Sequence, residues 1–471
     1  MYLTKTIATY ILYTITFIVF YAIPVNAQNT NYKTGVIIDS VQINNYTSEN
    51  YQLYLPANYT SDTLWPIIYI FDPAARGSIG IQPFIKAAEK YGYILVCSNN
   101  SKNAPYEVNI QISNRLFTHV TNTLAIDSSR IYLAGFSGGS RLAYGLAVDT
   151  KNIAGVIGCG ASIQNGNQYL PNKSHNFSYV GIIGDRDFNF QEMQVLQKQL
   201  NSKNRANHLV IYEGRHYWPS EENILIAMDW LELEAFRKNL KPVDTYIINK
   251  MYLKWIKSTE EISAKENPLK YFDAYIDIFR IFTPFINTDE LLAKISAIKQ
   301  SKGYIKQKKK VEFYEQKELE LSDRYIKELY RHLYNPHDSL YKYWKREIQA
   351  LQSMQKSKNS QKSKMAGRVL SKIWIWSYEP ALQYIKDKEY PKMIFTNRIW
   401  IMVRPKDQYP YYHLARAYAA TGKSRLAIKT LKKGYKTGLN NKQLLEETSE
   451  FKELKKYKKF NQLLSEMEVR E

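Results

Sequence analysis

Cysteine is almost missing. Only two of the 471 residues carry a thiol, Cys97 and Cys159, so a dense disulfide framework is excluded and packing must hold the chain together. Long apolar runs are equally scarce. Only one stretch, near the N-terminus, approaches the length of a membrane span, and no cysteine suited to lipid attachment follows it. Strand signals stop after Pro242, and no nucleic-acid recognition motif is present anywhere. Acidic residues are in deficit in one half only. Residues 28–237 hold 16 Lys/Arg against 17 Asp/Glu, whereas residues 238–471 hold 48 against 27.

The chain is too long for one compact core and predicts at least two domains. At the N-terminus, Lys5 precedes the uncharged apolar run Thr6–Ile23, and Val25-Asn26-Ala27 offers small residues before Gln28. That is the layout of a secretory signal peptide, with an uncleaved anchor as the alternative. We therefore expect a signal peptide over residues 1–27 and an exported bacterial protein, periplasmic or secreted. The net charge of +21 resides almost wholly in the second half. Such a surface favours an anionic partner, such as acidic polysaccharide or a lipid headgroup, or a protein partner. The alternative is solvent-facing lysine on helices, and nucleic acid is not expected for an exported chain without a recognition motif.

The first half alternates strands and helices. Edge strands are expected between Gly35 and Tyr54, and Trp65–Phe71 is a continuous apolar run suited to burial on both faces. A helix over Phe84–Tyr91, a strand over Gly92–Cys97 and a helix over Leu116–Ala125 follow. Further strands are expected at Ile131–Ala134, Ala154–Cys159, Tyr179–Gly184 and His208–Tyr212, with a closing helix at Asn223–Leu240. This rhythm predicts an α/β fold, a parallel sheet with helices on both faces. Beyond it, residues 241–370 read as a helical region. Gln355–Lys364 (QKSKNSQKSK) reads as a flexible connection. In residues 371–471, Ala381 and Tyr384 recur 34 positions later as Ala415 and Tyr418, the period of a tetratricopeptide repeat. One good copy and one degenerate copy are too few for a solenoid, so they should pack on the preceding helices. A plain helical bundle is the other reading.

Within the alternating half, Gly135-Phe136-Ser137-Gly138-Gly139 stands between a strand and a helix start. A Gly-x-Ser-x-Gly turn there holds a serine at a strained tip, and glycines remove the Cβ atoms that would clash. Two further segments follow strands: Gly184-Asp185-Arg186-Asp187 and Gly214-Arg215-His216-Tyr217-Trp218-Pro219. Open α/β sheets gather reactive groups at that edge.

On these three motifs, residues 36–236 resemble the α/β-hydrolase superfamily, in particular its secreted polyhydroxybutyrate-depolymerase-like and feruloyl-esterase-like branch. The resemblance implies a Ser-Asp-His triad. Ser137 is the expected nucleophile, His216 the base among seven histidines, and Asp187 the orienting acid in preference to Asp185. Gly138 N–H is expected to supply one oxyanion donor. Asp72-Pro73 stands where most members of the branch have His-Gly. Pro73 has no N–H, so Ala74 is the expected second donor, with Ala75 next. Arg76 is read either as a contact for an acidic substrate or as a salt bridge holding this loop. Tyr217 and Trp218 are read as walls of the site or as packing for their loop. In the strand order of this fold, two strands separate Cys97 from Cys159, about 14 Å. That is beyond disulfide reach, so two free buried thiols are expected.

The expected function is thus an exported serine hydrolase, foremost a carboxylic-ester hydrolase. Its substrate would be an ester, with a polymeric or polysaccharide-linked one possible, and no metal or organic cofactor is implied. A prolyl-oligopeptidase-type peptidase is the second enzymatic reading, although no propeller is visible. A non-catalytic binding protein on a hydrolase fold is the third. Residues 28–240 are expected to hold their own core.

Overall fold

The computed structural model describes residues 32–468, apart from 165, 171, 173 and 175. The expected signal peptide therefore lies outside the described residues. Eight strands form one sheet: β1 (Ile37–Ile43), β2 (Tyr46–Tyr54), β3 (Trp65–Phe71), β4 (Ile94–Ser98), β5 (Ile126–Phe136), β6 (Ile153–Cys159), β7 (Ser178–Gly184) and β8 (Asn207–Tyr212). Their spatial order is β1-β2-β4-β3-β5-β6-β7-β8. β1 is an edge strand, β2 lies between β1 and β4 and runs antiparallel to both, and β4 to β8 run parallel to β3. This is the α/β-hydrolase sheet. Cys97 on β4 and Cys159 on β6 have β3 and β5 between them, and both thiols are free and buried.

Six helices accompany the sheet: α1 (Gly77–Ile81), α2 (Ile85–Tyr91), α3 (Tyr106–Thr123), α4 (Gly138–Asp149), α5 (Phe190–Ser202) and α6 (Glu221–Arg237). One buried cluster joins a sheet face to α3, α4 and α5, through residues such as Val120, Leu142 and Leu196. The other face packs on α6 through Ile224, Trp230 and Leu231. Helix α3 starts ten residues earlier than its apolar spacing predicts. Pro105 precedes its first turn and fixes the backbone there, and the alternation of apolar and polar residues over Val108–Ser113 masks the helical period.

The second half is all helical, with α7 (Thr245–Glu260), α8 (Pro268–Phe282), α9 (Asp289–Gln300), α10 (Lys302–Tyr334), α11 (Leu340–Gln355), α12 (Ser360–Lys386) and α13 (Tyr390–Val403). It ends with α14 (Tyr409–Ala420), α15 (Ser424–Lys436), α16 (Lys442–Glu447) and α17 (Lys458–Glu468). The cluster on the α6 face does not close at residue 240. It runs on through Ile248 and Met251 of α7, Tyr275 and Phe282 of α8, and Leu291 of α9. Buried Asp229 of α6 accepts from Lys90 at 2.8 Å and from Lys254 of α7 at 2.9 Å, tying the halves together. Two further clusters unite α10 to α13 and α14 to α17.

The expected flexible connection at Gln355–Lys364 is corrected to a short turn and a helix start. Asn359 caps α12 by accepting from the Lys362 N–H, and Lys364 is held in an ion pair with Asp185 at 2.6 Å. Among the described residues, no helix is long and apolar enough to cross a membrane.

Candidate active site

Ser137 stands between the end of β5 and the start of α4, with φ 52° and ψ −118°. Side chains rarely adopt this conformation, which costs roughly 1–3 kcal/mol and persists only where its surroundings enforce it. Here the Ser137 N–H donates to Cys159 O at 2.8 Å. A Cβ on Gly135 would lie 2.1 Å from Gly139 O, and one on Gly139 would lie 2.0 Å from Phe71 O. Only glycine fits either position.

Asp187 follows β7 in a turn closed by its own N–H to Gly184 O at 3.0 Å. Its side chain is buried, and one carboxylate oxygen accepts from the Asn189 N–H at 2.9 Å. The other lies 2.8 Å from His216 Nδ1, and His216 Nε2 lies 3.0 Å from Ser137 Oγ. The His216 ring is flanked by Phe136 and Phe188, with centroids 4.7 and 4.3 Å away. The structure thus brings Ser137, His216 and Asp187 into one line of contacts. Asp185 points elsewhere, to Lys364 and to the Gly214 N–H at 3.4 Å. Of the other described histidines, His119, His208, His332 and His413 pack in the body of the fold, and His337 is exposed near the start of α11. Burial, aided by nearby Arg280, holds His208 down at about 4. Burial, with Arg416 beside it, does the same for His413.

The loop after β3 departs from expectation. Buried Asp72 accepts from Arg76 Nε at 2.9 Å and Nη2 at 3.0 Å, from Trp218 Nε1 at 2.9 Å and from the Ala74 N–H at 2.8 Å. Burial pushes the Asp72 carboxyl up, but the bonds from Arg76, Trp218 and Ala74 outweigh it and hold the group below the usual range. Arg76 is therefore the salt bridge that holds the loop. Trp218 packs on Phe84 and Phe136, while Tyr217 is exposed. The expectation of a free Ala74 N–H is corrected, because the Asp72 carboxylate engages it. The Ala75 N–H is likewise donated to Asp72 O at 3.1 Å. Gly138, as the first residue of α4, has an N–H with no acceptor inside its helix.

Sequence reasoning missed two groups of residues. The first is Asn103, whose N–H donates to Pro73 O at 2.8 Å. Its amide rests on Gly138 so closely that a Cβ there would lie 1.8 Å from Asn103 Oδ1. No motif marked it. The second comes from the helical half. Ser137, Gly138 and His216 open into a groove of about 1220 Å³, lined also by Val195 of α5, Leu319 of α10 and Trp374, Tyr378 and Leu382 of α12. The paired tryptophans of the Ile373-Trp374-Ile375-Trp376 run were the available signal.

The acid loop is also braced from that half. Arg368 of α12, nearly fully buried, donates to Asp185 O at 2.6 Å and to Glu318 of α10 at 2.7 Å. Lys372 bonds Glu318 at 3.1 Å and Gln191 at 3.3 Å. Trp374 meets Phe188 edge-on at 6.5 Å. Among the described residues, no group of three or more His, Cys, Asp or Glu side chains is placed to hold a metal ion.

No family model matches the chain, and no curated protein does. Solved structures similar to it include an S-formylglutathione hydrolase from Staphylococcus aureus, at 15% identity and a TM-score of 0.32, covering 39% of this chain and 90% of that one. The feruloyl esterase module from Clostridium thermocellum is similar at 14% identity and a TM-score of 0.34, over 41% of this chain and 86% of that one. Esterase 2 of Thermogutta terrifontis is similar at 11% identity and a TM-score of 0.33, over 44% of this chain and 96% of that one.

Proposed function

We propose that the protein is a serine hydrolase that cleaves carboxylic esters through an acyl-enzyme. The observation that carries this reading is the line Ser137 Oγ, His216 Nε2, His216 Nδ1, Asp187 Oδ2, with contacts of 3.0 and 2.8 Å. A serine hydroxyl attacks a carbonyl carbon only if a base takes its proton as the bond forms. His216 Nε2 is within reach of that proton. Asp187 accepts from Nδ1–H, which leaves Nε2 unprotonated and stabilises the imidazolium once it forms. The proton then passes from Nε2 to the leaving alcohol as the ester C–O bond breaks. Water, deprotonated by the same nitrogen, releases the acid and restores Ser137.

The tetrahedral intermediate carries an oxyanion that needs donors, each contributing roughly 3 kcal/mol. Gly138 N–H is the first. With the Ala74 N–H engaged by Asp72, the second role passes to the Asn103 side-chain amide, which lines the groove beside Gly138.

Export by residues 1–27 belongs to the same proposal, supported by the Thr6–Ile23 run. So does a tetratricopeptide-like reading of α12 to α15, supported by the 34-residue recurrence. A fluorophosphonate probe tests the central reading. We expect one labelled site, at Ser137, with labelling and ester turnover both abolished in Ser137→Ala. Labelling that survives in the alanine variant would overturn the assignment.

A further inference from the structure

Four of the large apolar side chains that remain exposed stand around the groove leading from Ser137. They are Leu170 at 43%, Val195 at 51%, Leu319 at 52% and Leu382 at 48%. A single exposed leucine needs no explanation, but a cluster around one concavity marks a binding surface. These four come from separate parts of the chain: the segment after Tyr169, α5, α10 and α12. No one element's periodicity accounts for their convergence.

The α12 side is built as a wall. Trp374, Tyr378 and Leu382 are successive fourth residues and so share one helix face, spanning about 12 Å along the axis. Trp374 and Tyr378 stack with centroids 5.6 Å apart and planes 17° apart, and the Arg404 guanidinium lies 3.3 Å over the Trp374 ring. The wall is therefore fixed before anything binds. Its near end meets Phe188, which lies against His216, so it is continuous with the reacting atoms.

The charges lining the groove are largely matched inside the protein. Arg141 pairs with Glu192 at 2.7 Å, and Lys372 with Glu318 at 3.1 Å. Glu379, at the rim, is the remaining lining carboxylate, and the Arg141 guanidinium acts on it as well. A groove with apolar walls and both of its lining cations already facing carboxylates leaves no free cation for an anionic substrate. At about 1220 Å³ it also exceeds what a small ester fills.

We propose that the groove lined by α5 and α12 takes a neutral ester with a long apolar chain, laid along Trp374, Tyr378 and Leu382 and in reach of Val195. The proposal rests on the serine-hydrolase reading and adds its substrate class. The same chain chemistry can belong to the acyl group or to the alcohol, and two series of esters separate these sources. One is p-nitrophenyl esters from acetate to dodecanoate. The other is acetate esters of linear alcohols from butanol to dodecanol. All are measured below their solubility limits with the full-length protein.

Wild-type kcat/KM should climb in one series by roughly three- to fourfold per added methylene until the groove is filled. A climb with acyl length assigns the groove to the acid part, and a climb with alcohol length assigns it to the leaving group. Leu382→Asn and Val195→Asn should flatten that climb, chiefly through KM. Both residues are exposed, so the polar replacements should fold. A flat or falling dependence in both series, with Ser137 still labelled by the fluorophosphonate, overturns the groove proposal alone. So does a steep climb that neither substitution changes. No turnover of any ester together with no labelling overturns the serine-hydrolase reading itself.

Discussion

The sheet-bearing half and the helical half are built on different principles. Residues 28–237 are nearly neutral, with 16 basic and 17 acidic residues, whereas residues 238–471 carry 48 against 27. The first half supplies Ser137, Asp187 and His216, each at a strand end where the backbone turns away from its ladder. The second half supplies none of these, yet it reaches the site at the turn Asp185–Phe190. A strand-end turn leaves carbonyls that need partners, and Asp185 O finds its partner in Arg368, 183 residues away in sequence. The comparison teaches that Ser137, His216 and Asp187 come from one part of the chain and a brace on the Asp187 loop from the other. The boundary near residue 240 separates composition but not packing.

The sharpest way to break this division is within the acid loop itself. Asp187→Asn should lower kcat about ten-thousand-fold, the scale found when a triad acid loses its charge. Asp185→Asn should cost far less, because that carboxylate bonds Lys364 rather than His216. If the Asp185 change is the more damaging, the acid has been misassigned. Next in size, Asn103→Ala should lower kcat by about a hundred- to a thousandfold with KM little changed, the signature of a lost oxyanion donor. An Asn103→Ala enzyme with wild-type kcat would return that role to the Ala74 N–H. Third, Arg368→Ala leaves Glu318 buried without its main partner and should destabilise the protein by roughly 3–5 kcal/mol. Lys364→Ala, at a pair still reached by solvent, should cost no more than about 1 kcal/mol. Denaturant melts of the two variants measure this order directly.

What was legible in the sequence was local. Gly135 and Gly139 are required by clashes within five residues of Ser137, so the turn is visible as a motif. Asp187 could be preferred to Asp185 because position after a strand fixes which carboxylate clears the sheet edge. What was illegible depended on competition or distance. The Asp72 carboxylate engages the Ala74 N–H, and no sequence pattern shows where a side chain turns. The stretch at residues 355–364 has the composition of a linker, but Asn359 is a helix cap and Lys364 pairs with Asp185 across a large sequence separation. The Trp374 and Tyr378 wall reads as an ordinary apolar helix face until α5 is placed on the same groove. From sequence, residues 28–240 are expected to hold their own core. The continuation of one buried cluster through Ile248, Met251, Tyr275 and Phe282 argues against that independence.

The claim that the helical half completes the site is tested most directly by expressing residues 28–240 alone. Turnover of p-nitrophenyl acetate and fluorophosphonate labelling would be compared with the full-length protein, with circular dichroism to report folding. The account predicts a fragment that is unfolded, or folded with labelling and turnover at least a hundredfold below full length, because α7 to α9 cap its core and α12 holds its acid loop. A folded fragment that labels and turns over at the full-length rate would contradict it.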